Sequence, residues 1–142
     1  MILFDVNMLV YAHREDAANH RAYHDWLLEQ LNSPRSFAVS RIVLSGFLRV
    51  VTHTKVFALP SPIGDALAFV ETVLNRENAV IVEPGERHWQ IFSKLCIQIN
   101  ARGNLIPDCY LAAIAIENGC TFATSDRDYT RFRDLDVEIV SF

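Results

Sequence analysis

The chain opens with Met-Ile-Leu-Phe-Asp-Val-Asn at residues 1–7. The run from Ile2 to Phe4 is apolar and ends on a carboxylate at Asp5, which is typical of a short buried strand. In open α/β sheets, ligand sites form outside the carboxyl ends of the strands. Asp5 is therefore placed for chemistry, and the rest of the chain is expected to supply its partners.

Segments of strand and helix character alternate along the whole sequence. Short apolar runs at 36–39, 79–82, 120–123 and 137–140 predict strands, and helical spacing fills the segments between them. This alternation predicts an α/β fold, with one domain over residues 1–142. We expect a mostly parallel central sheet of four to five strands with helices on both faces.

Two of the predicted helices carry specific expectations. Asp16 is placed to cap a helix that runs to about Leu31. Ser40 is placed to cap a helix from Arg41 to about Thr52, and apolar residues on most sides of this helix predict that it is buried.

Three acids stand at the ends of predicted elements. Asp5 ends the first strand, Asp126 follows the strand at 120–123, and Asp108 begins an apolar helix directly after Pro107. Parallel strands bring Asp5 and Asp126 to the same edge of the sheet. Three clustered carboxylates repel one another, so one takes a proton unless a cation joins them. Oxygen ligands of this kind select Mg²⁺ or Mn²⁺, which activate water toward phosphodiesters.

Each acid also has a structural interpretation that the sequence leaves open. Asp5 suits a helix cap, Asp108 suits the positive end of a helix dipole, and Asp126 and Asp128 suit a turn. The convergence of the acids on one edge of the sheet favours the functional interpretation over any of these alone.

Composition narrows the class of protein. The chain has 142 residues, half of them apolar, and a net charge of −4, which is not the basic footprint of a duplex-binding protein. Three cysteines without a CxxC pair indicate reduced thiols and a cytoplasmic location. No apolar run reaches about 18 residues, so no membrane span is expected.

The motifs around the three acids resemble those of PIN domains. They read Phe-Asp-Val-Asn at 4–7, Ile-Pro-Asp-Cys-Tyr-Leu-Ala-Ala at 106–113 and Ala-Thr-Ser-Asp-Arg-Asp-Tyr at 123–129. The likeness runs the whole length of the chain. It is closest to the VapC-type toxins of bacterial toxin–antitoxin pairs, which are small Mg²⁺-dependent ribonucleases.

This resemblance implies a function and a set of site residues. Asp5, Asp108 and Asp126 would be the catalytic residues and would hold Mg²⁺ or Mn²⁺, with Asn7 and Asp128 in support. The implied activity is that of a divalent-metal-dependent endoribonuclease that cleaves RNA phosphodiesters with a metal-activated water. The implied partners are an RNA substrate, a cognate antitoxin protein and a second copy of the chain in a homodimer.

One position departs from the family pattern. The family usually has a glutamate on the helix after the second strand, and here that place reads Ser-Gly-Phe-Leu-Arg at 45–49, with Gly46 where the acid is expected. A glycine inside a helix costs about 1 kcal/mol relative to alanine, so Gly46 needs a reason. Either the helix packs closely against a neighbour at this point, or the metal site is built with one carboxylate fewer.

Two other functions stay open at this stage. A phosphatase of the haloacid-dehalogenase class also has an aspartate after its first strand, but it has a second aspartate two residues later, where this chain has Asn7. A catalytically weak RNA-binding module is the other alternative, and Gly46 motivates it.

Overall fold

The computed structural model describes all residues from 1 to 142. Five strands form the sheet, namely β1 (Ile2–Phe4), β2 (Phe37–Val39), β3 (Ala79–Ile81), β4 (Thr121–Thr124) and β5 (Asp136–Ile139). The six helices are α1 (Val6–His13), α2 (His20–Asn32), α3 (Arg41–Val51), α4 (Ile63–Leu74), α5 (His88–Gln98) and α6 (Leu105–Glu117). None of these helices is long and apolar enough to cross a membrane.

The sheet is entirely parallel, and its strand order is β3-β2-β1-β4-β5. The first strand lies at the centre, with Phe4 paired to Ala123 of β4. The predicted α/β fold with a mostly parallel sheet is confirmed, and all five carboxyl ends lie at one edge.

The strand order reverses between β1 and β4. From β1 the chain builds outward through β2 and β3, and it then returns to the other side of β1 for β4 and β5. In parallel sheets a reversal of this kind opens a crevice at the carboxyl ends, because the two connections leave in opposite directions. Asp5 and Asp126 follow β1 and β4, so both acids stand at this crevice.

The helices form two packed groups around the sheet. Helix α1 packs on α2 and α3, α3 packs on α4, and α5 packs on α6. Phe37 of β2, Phe47 of α3 and Phe122 of β4 are fully buried in the shared hydrophobic core.

Two of the helix predictions are wrong in detail. Helix α2 begins at His20 after Asn19, and Asp16 does not cap it, because the Asp16 carboxylate is bound to Arg14 instead. Helix α3 is amphipathic rather than buried. It packs through Val43, Leu44, Phe47 and Val51, while Arg41, Ile42, Ser45 and Arg49 are exposed.

Candidate active site

Asp5 is fixed between the central strand and the first helix. Its backbone N–H donates to the Ala123 carbonyl at 2.9 Å, which extends the pairing of β1 with β4 by one residue. The side chain caps α1, since Oδ1 accepts from the Val6 N–H at 2.7 Å. Oδ2 accepts from the Thr124 hydroxyl at 2.6 Å, and only 6% of the residue is exposed. The predicted capping role and a role in the site are therefore compatible.

Asp126 is tied to Asp5 through one buried hydroxyl. The Thr124 Oγ1 that donates to Asp5 also accepts from the Asp126 N–H at 3.0 Å. The Asp126 side chain then accepts from the Asp128 N–H at 2.9 Å and begins a short 3₁₀ helix, Arg127–Arg131. The two acids thus keep a fixed relation across the strand reversal.

Asp108 reaches the same place from helix α6. It lies in the first turn of α6, and its Oδ1 accepts from the Tyr129 hydroxyl at 3.2 Å. Tyr129 is buried, and its ring packs on Phe122 with the ring centroids 4.7 Å apart. The phenol is therefore held in place by the core, and it in turn orients one oxygen of Asp108.

One cleft of about 320 Å³ is lined by Asp5, Asp108 and Asp126. Asn7 and Gly46 also line it, as expected from their sequence positions. The structure thus brings together three of the predicted acids and two of the other predicted positions.

Asp128 stands apart from the cleft. Its carboxylate is exposed and forms an ion pair with Arg131 at 3.5 Å. Its backbone N–H is the group that contacts Asp126, so the structure connects Asp128 with the site through the main chain.

The acids of the cleft carry more negative charge than their surroundings favour. Burial is the main cause that raises the pKa of Asp5 to about 6, and the charges of Asp108 and Asp126 raise it further, against the two hydrogen bonds it accepts. Burial and the charge of Asp126 likewise raise the pKa of Asp108. Such a site binds either a proton or a cation.

The donors fit a hard divalent cation in their chemistry, since all three are carboxylates. No three Asp, Glu, His or Cys side chains stand close enough to hold one ion together. Mg²⁺ usually keeps several waters and binds only one or two carboxylates directly. Acids that line one cleft without all touching one ion are therefore compatible with Mg²⁺ binding. The assignment of Asp5, Asp108 and Asp126 as metal ligands stays a prediction.

Gly46 lies where α3 passes closest to the start of α1. A Cβ atom placed on Gly46 would be 2.9 Å from Cγ2 of Val6, which is closer than side chains pack. Close packing therefore supplies a reason for the glycine. Because Gly46 also lines the cleft, the account based on a missing carboxylate stays a prediction.

Sequence reasoning missed two residues that shape the site, Thr124 and Tyr129. Both lie within the third acidic motif, but their signal is weak, because a threonine that ends a strand and a tyrosine in a short helix are common. Only the packing shows that each donates a hydrogen bond to one of the acids.

A family model described as the PIN domain matches residues 2–136. The chain belongs to the PIN-domain family. Within the family, it is 43% identical over 135 residues to "Ribonuclease VapC25" of Mycobacterium tuberculosis, covering 95% of both chains. It is 35% identical over 135 residues to "Ribonuclease VapC33" of the same species, covering 95% of this chain and 94% of the relative. This PIN domain therefore belongs to the VapC ribonucleases.

Solved structures share the fold at lower identity. VapBC2 from Rickettsia felis, bound to a DNA fragment from its promoter, superposes with a TM-score of 0.72 at 22% identity, over 97% of this chain and 98% of the other. The M. tuberculosis toxin VapC20, described as cleaving the sarcin–ricin loop, has a TM-score of 0.66 at 12% identity, over 92% and 93%. These likenesses confirm the PIN fold and give no support to the haloacid-dehalogenase alternative.

Proposed function

We propose that this PIN domain is a divalent-metal-dependent endoribonuclease and the toxin of a toxin–antitoxin pair. The observation that carries the proposal is the convergence of Asp5, Asp108 and Asp126 on one cleft, where burial and mutual repulsion raise the pKa values of Asp5 and Asp108. Carboxylates in that state favour a cation, and the relatives with the same motifs are named ribonucleases.

Mg²⁺ is the proposed cofactor, with Mn²⁺ as an alternative, and Asp5, Asp108 and Asp126 would hold it. When bound, such a cation lowers the pKa of water and offsets the charge that develops on a cleaved phosphodiester. No side chain needs to attack the RNA covalently. Without the usual family glutamate, metal binding would be weaker, and Mn²⁺ should be the better activator because it binds such ligands more tightly than Mg²⁺.

The chain's own residues would fix the geometry of the reaction. The Thr124 hydroxyl donates to the Asp5 carboxylate and accepts from the Asp126 backbone N–H, so it would hold these two acids in a fixed relation. Tyr129 donates to Oδ1 of Asp108, and Oδ2 accepts no hydrogen bond from the chain. Asn7, which lines the cleft, would orient water or a carboxylate.

The proposed partners follow from the same charge. An acidic cleft attracts an arginine or lysine, so an antitoxin segment that carries one would occupy the cleft in place of the metal. The structural relatives include VapBC assemblies from R. felis and nontypeable Haemophilus influenzae. We also propose that the chain forms a homodimer, which light scattering after size exclusion would detect. A monomer at micromolar concentration would contradict it.

An assay with two substrates, together with an RNA-binding measurement, tests the function. Purified protein is incubated with a labelled single-stranded RNA and, separately, with a generic phosphomonoester, in Mn²⁺ or in EDTA. We expect the RNA to be cleaved in Mn²⁺ but not in EDTA, and the monoester to be hydrolysed in neither. Monoester hydrolysis would instead indicate a phosphatase, and binding of RNA without cleavage would indicate a catalytically weak module.

A further inference from the structure

Helix α3 presents one arginine to the acidic cleft. Arg49 lies in the last turn of α3 and lines the cleft that Asp5, Asp108 and Asp126 also line. Its side chain is exposed, and it forms no ion pair with any carboxylate of the chain. A free cation in a cleft with three acids is unusual, because attraction to those acids would normally pair it.

Three other arginines bind carboxylates of the chain. Arg41, two turns earlier on the same helix, binds Glu83, and Arg131 binds Asp128. Arg14 binds Asp16 through two nitrogens. The position of Arg49 therefore leaves the donors of its guanidinium free for a ligand, whereas the donors of its neighbours are used within the fold.

Charge indicates which ligand suits Arg49. A divalent cation in the cleft would offset two of the three carboxylate charges, and Arg49 would offset the third. The loaded cleft would then no longer repel a polyanion. A guanidinium also matches the oxygens of a phosphate through parallel N–H donors, which an ammonium cannot do.

We propose that Arg49 binds a backbone phosphate of the RNA strand that lies in the cleft. The proposal rests on the ribonuclease function proposed above and adds the residue that holds the substrate against the acids. Phosphate contacts position a nucleic acid without reading its sequence. Arg49 is thus a substrate-binding residue for RNA of any sequence that fits the cleft.

The test compares Arg49→Gln with Arg41→Gln, a matched control that removes the same charge from the same exposed helix. In Mn²⁺, we expect Arg49→Gln to raise KM for single-stranded RNA by about tenfold with little change in kcat, since one charge-assisted contact is lost. The slope of log affinity against log salt should fall by about 0.7, the value for one phosphate contact with a single strand. Arg49→Lys should restore the slope and part of the KM.

Four outcomes would overturn the proposal. Equal KM values for Arg49→Gln and Arg41→Gln would do so, as would an unchanged salt slope. A loss confined to kcat would assign Arg49 to chemistry rather than to binding. Unchanged RNA binding with loss of antitoxin binding would show that the ligand is a protein carboxylate. Thermal melts of both variants control for folding.

The test also separates this proposal from the function on which it rests. If the wild type cleaves no RNA, the proposed activity fails, and fluorescence anisotropy with the same RNA still decides the role of Arg49. Equal RNA affinity of the wild type and Arg49→Gln in that titration would overturn the role of Arg49 as well. Weaker RNA binding by Arg49→Gln, with the affinity of Arg41→Gln unchanged, would support the role of Arg49.

Discussion

Helix α1 has a buried charged residue at each end, and the two ends differ in function. Asp5 caps its N-terminus with 6% of the residue exposed, and Arg14 caps its C-terminus with 9% exposed. Both charges suit the helix dipole, which favours an anion at the first end and a cation at the second. The dipole and the degree of burial therefore do not distinguish the two ends, and the neighbours do.

The charge of Arg14 is fully compensated. Its Nε and Nη2 donate to the two Asp16 oxygens at 2.8 and 2.6 Å, and Nη1 donates to the Ser61 hydroxyl at 3.1 Å. The guanidinium also lies over the Phe57 ring, 4.0 Å from its centroid. These contacts tie the segment after α3 to the end of α1, so the cluster has a structural role.

The charge of Asp5 is compensated by dipoles only. Val6 and Thr124 donate hydrogen bonds to it, but the ionisable groups that face it are the like charges of Asp108 and Asp126. A buried charge among like charges is retained for function more often than for stability. The comparison teaches that the partners of a buried charge, rather than its burial, indicate an active site.

The largest effect on RNA cleavage is expected from substitutions in the cleft at the N-terminal end of α1. We expect Asp5→Asn and Asp108→Asn each to lower metal-dependent RNA cleavage by about a hundredfold or more, because each removes one charged ligand of the proposed cation. The fold should stay intact, as measured by circular dichroism. Asp134→Asn removes an exposed acid outside the cleft and should cleave RNA at the wild-type rate. Full activity in either cleft variant would show that the substituted acid is not part of the active site.

The next effect is at the Arg14 end and should be one of stability alone. We expect Arg14→Ala to lower the free energy of unfolding by roughly 2–3 kcal/mol, because it removes hydrogen bonds to a charged group and a cation–π contact. Urea denaturation measures this change. RNA cleavage per folded molecule should equal that of the wild type.

A matched variant refines the test of Arg14. Arg14→Lys keeps the charge but loses the planar fork, so its stability should fall between those of the wild type and Arg14→Ala. A loss of activity at full stability in either variant would contradict the structural role of this end.

The smallest effect concerns the close contact beside Asp5. We expect Gly46→Ala to destabilise the protein by about 1 kcal/mol, since the clash with the stiff Val6 side chain exceeds the gain in helix propensity. In a Val6→Ala background the same change should stabilise the protein, and urea denaturation of all four proteins measures both. An equal effect in the two backgrounds would show that Val6 is not the reason for the glycine.

Much of the fold could be predicted because strand and helix periods are local properties. The apolar run that ends at Asp5 placed β1, and the alternation along the chain gave a parallel sheet. The prediction that α3 is buried was wrong because it followed the apolar residues and passed over the polar positions 41, 45 and 49 on one face. Ile42 could not have corrected it, since it is apolar and yet lines the cleft, 44% exposed. The prediction that Asp16 caps α2 was wrong for a similar reason. Its capping position was visible in the sequence, but Arg14 lies only two residues earlier, and the Asp16 carboxylate binds that guanidinium instead.

The convergence of the three acids could be predicted, and the residues that support them could not. Asp5 and Asp126 follow strands and Asp108 lies in the first turn of a helix, so topology alone places them near one edge. Tyr129 and Thr124 act through hydrogen bonds between elements distant in sequence, from Tyr129 to Asp108 and from Thr124 to Asp5. Such pairings depend on side-chain packing, which no local pattern encodes.

The most direct test of the account measures the stability of the wild type and Asp5→Asn in EDTA from pH 4 to pH 8. Asp5 has a pKa of about 6 when folded, against 3.8 for an unperturbed carboxyl group. Between these values the folded protein keeps a proton on Asp5 that the unfolded chain releases, so rising pH destabilises the wild type more than the variant.

We expect the stability advantage of Asp5→Asn to grow between about pH 4 and pH 6, by up to about 3 kcal/mol, and to stay constant above that range. Mn²⁺ added at pH 7.5 should stabilise the wild type more than the variant, because only the wild type has all three acids for the cation. An advantage that does not change with pH, together with no effect of Mn²⁺ on the wild type, would contradict the claim that the cleft is a set of repelling carboxylates suited to a divalent cation.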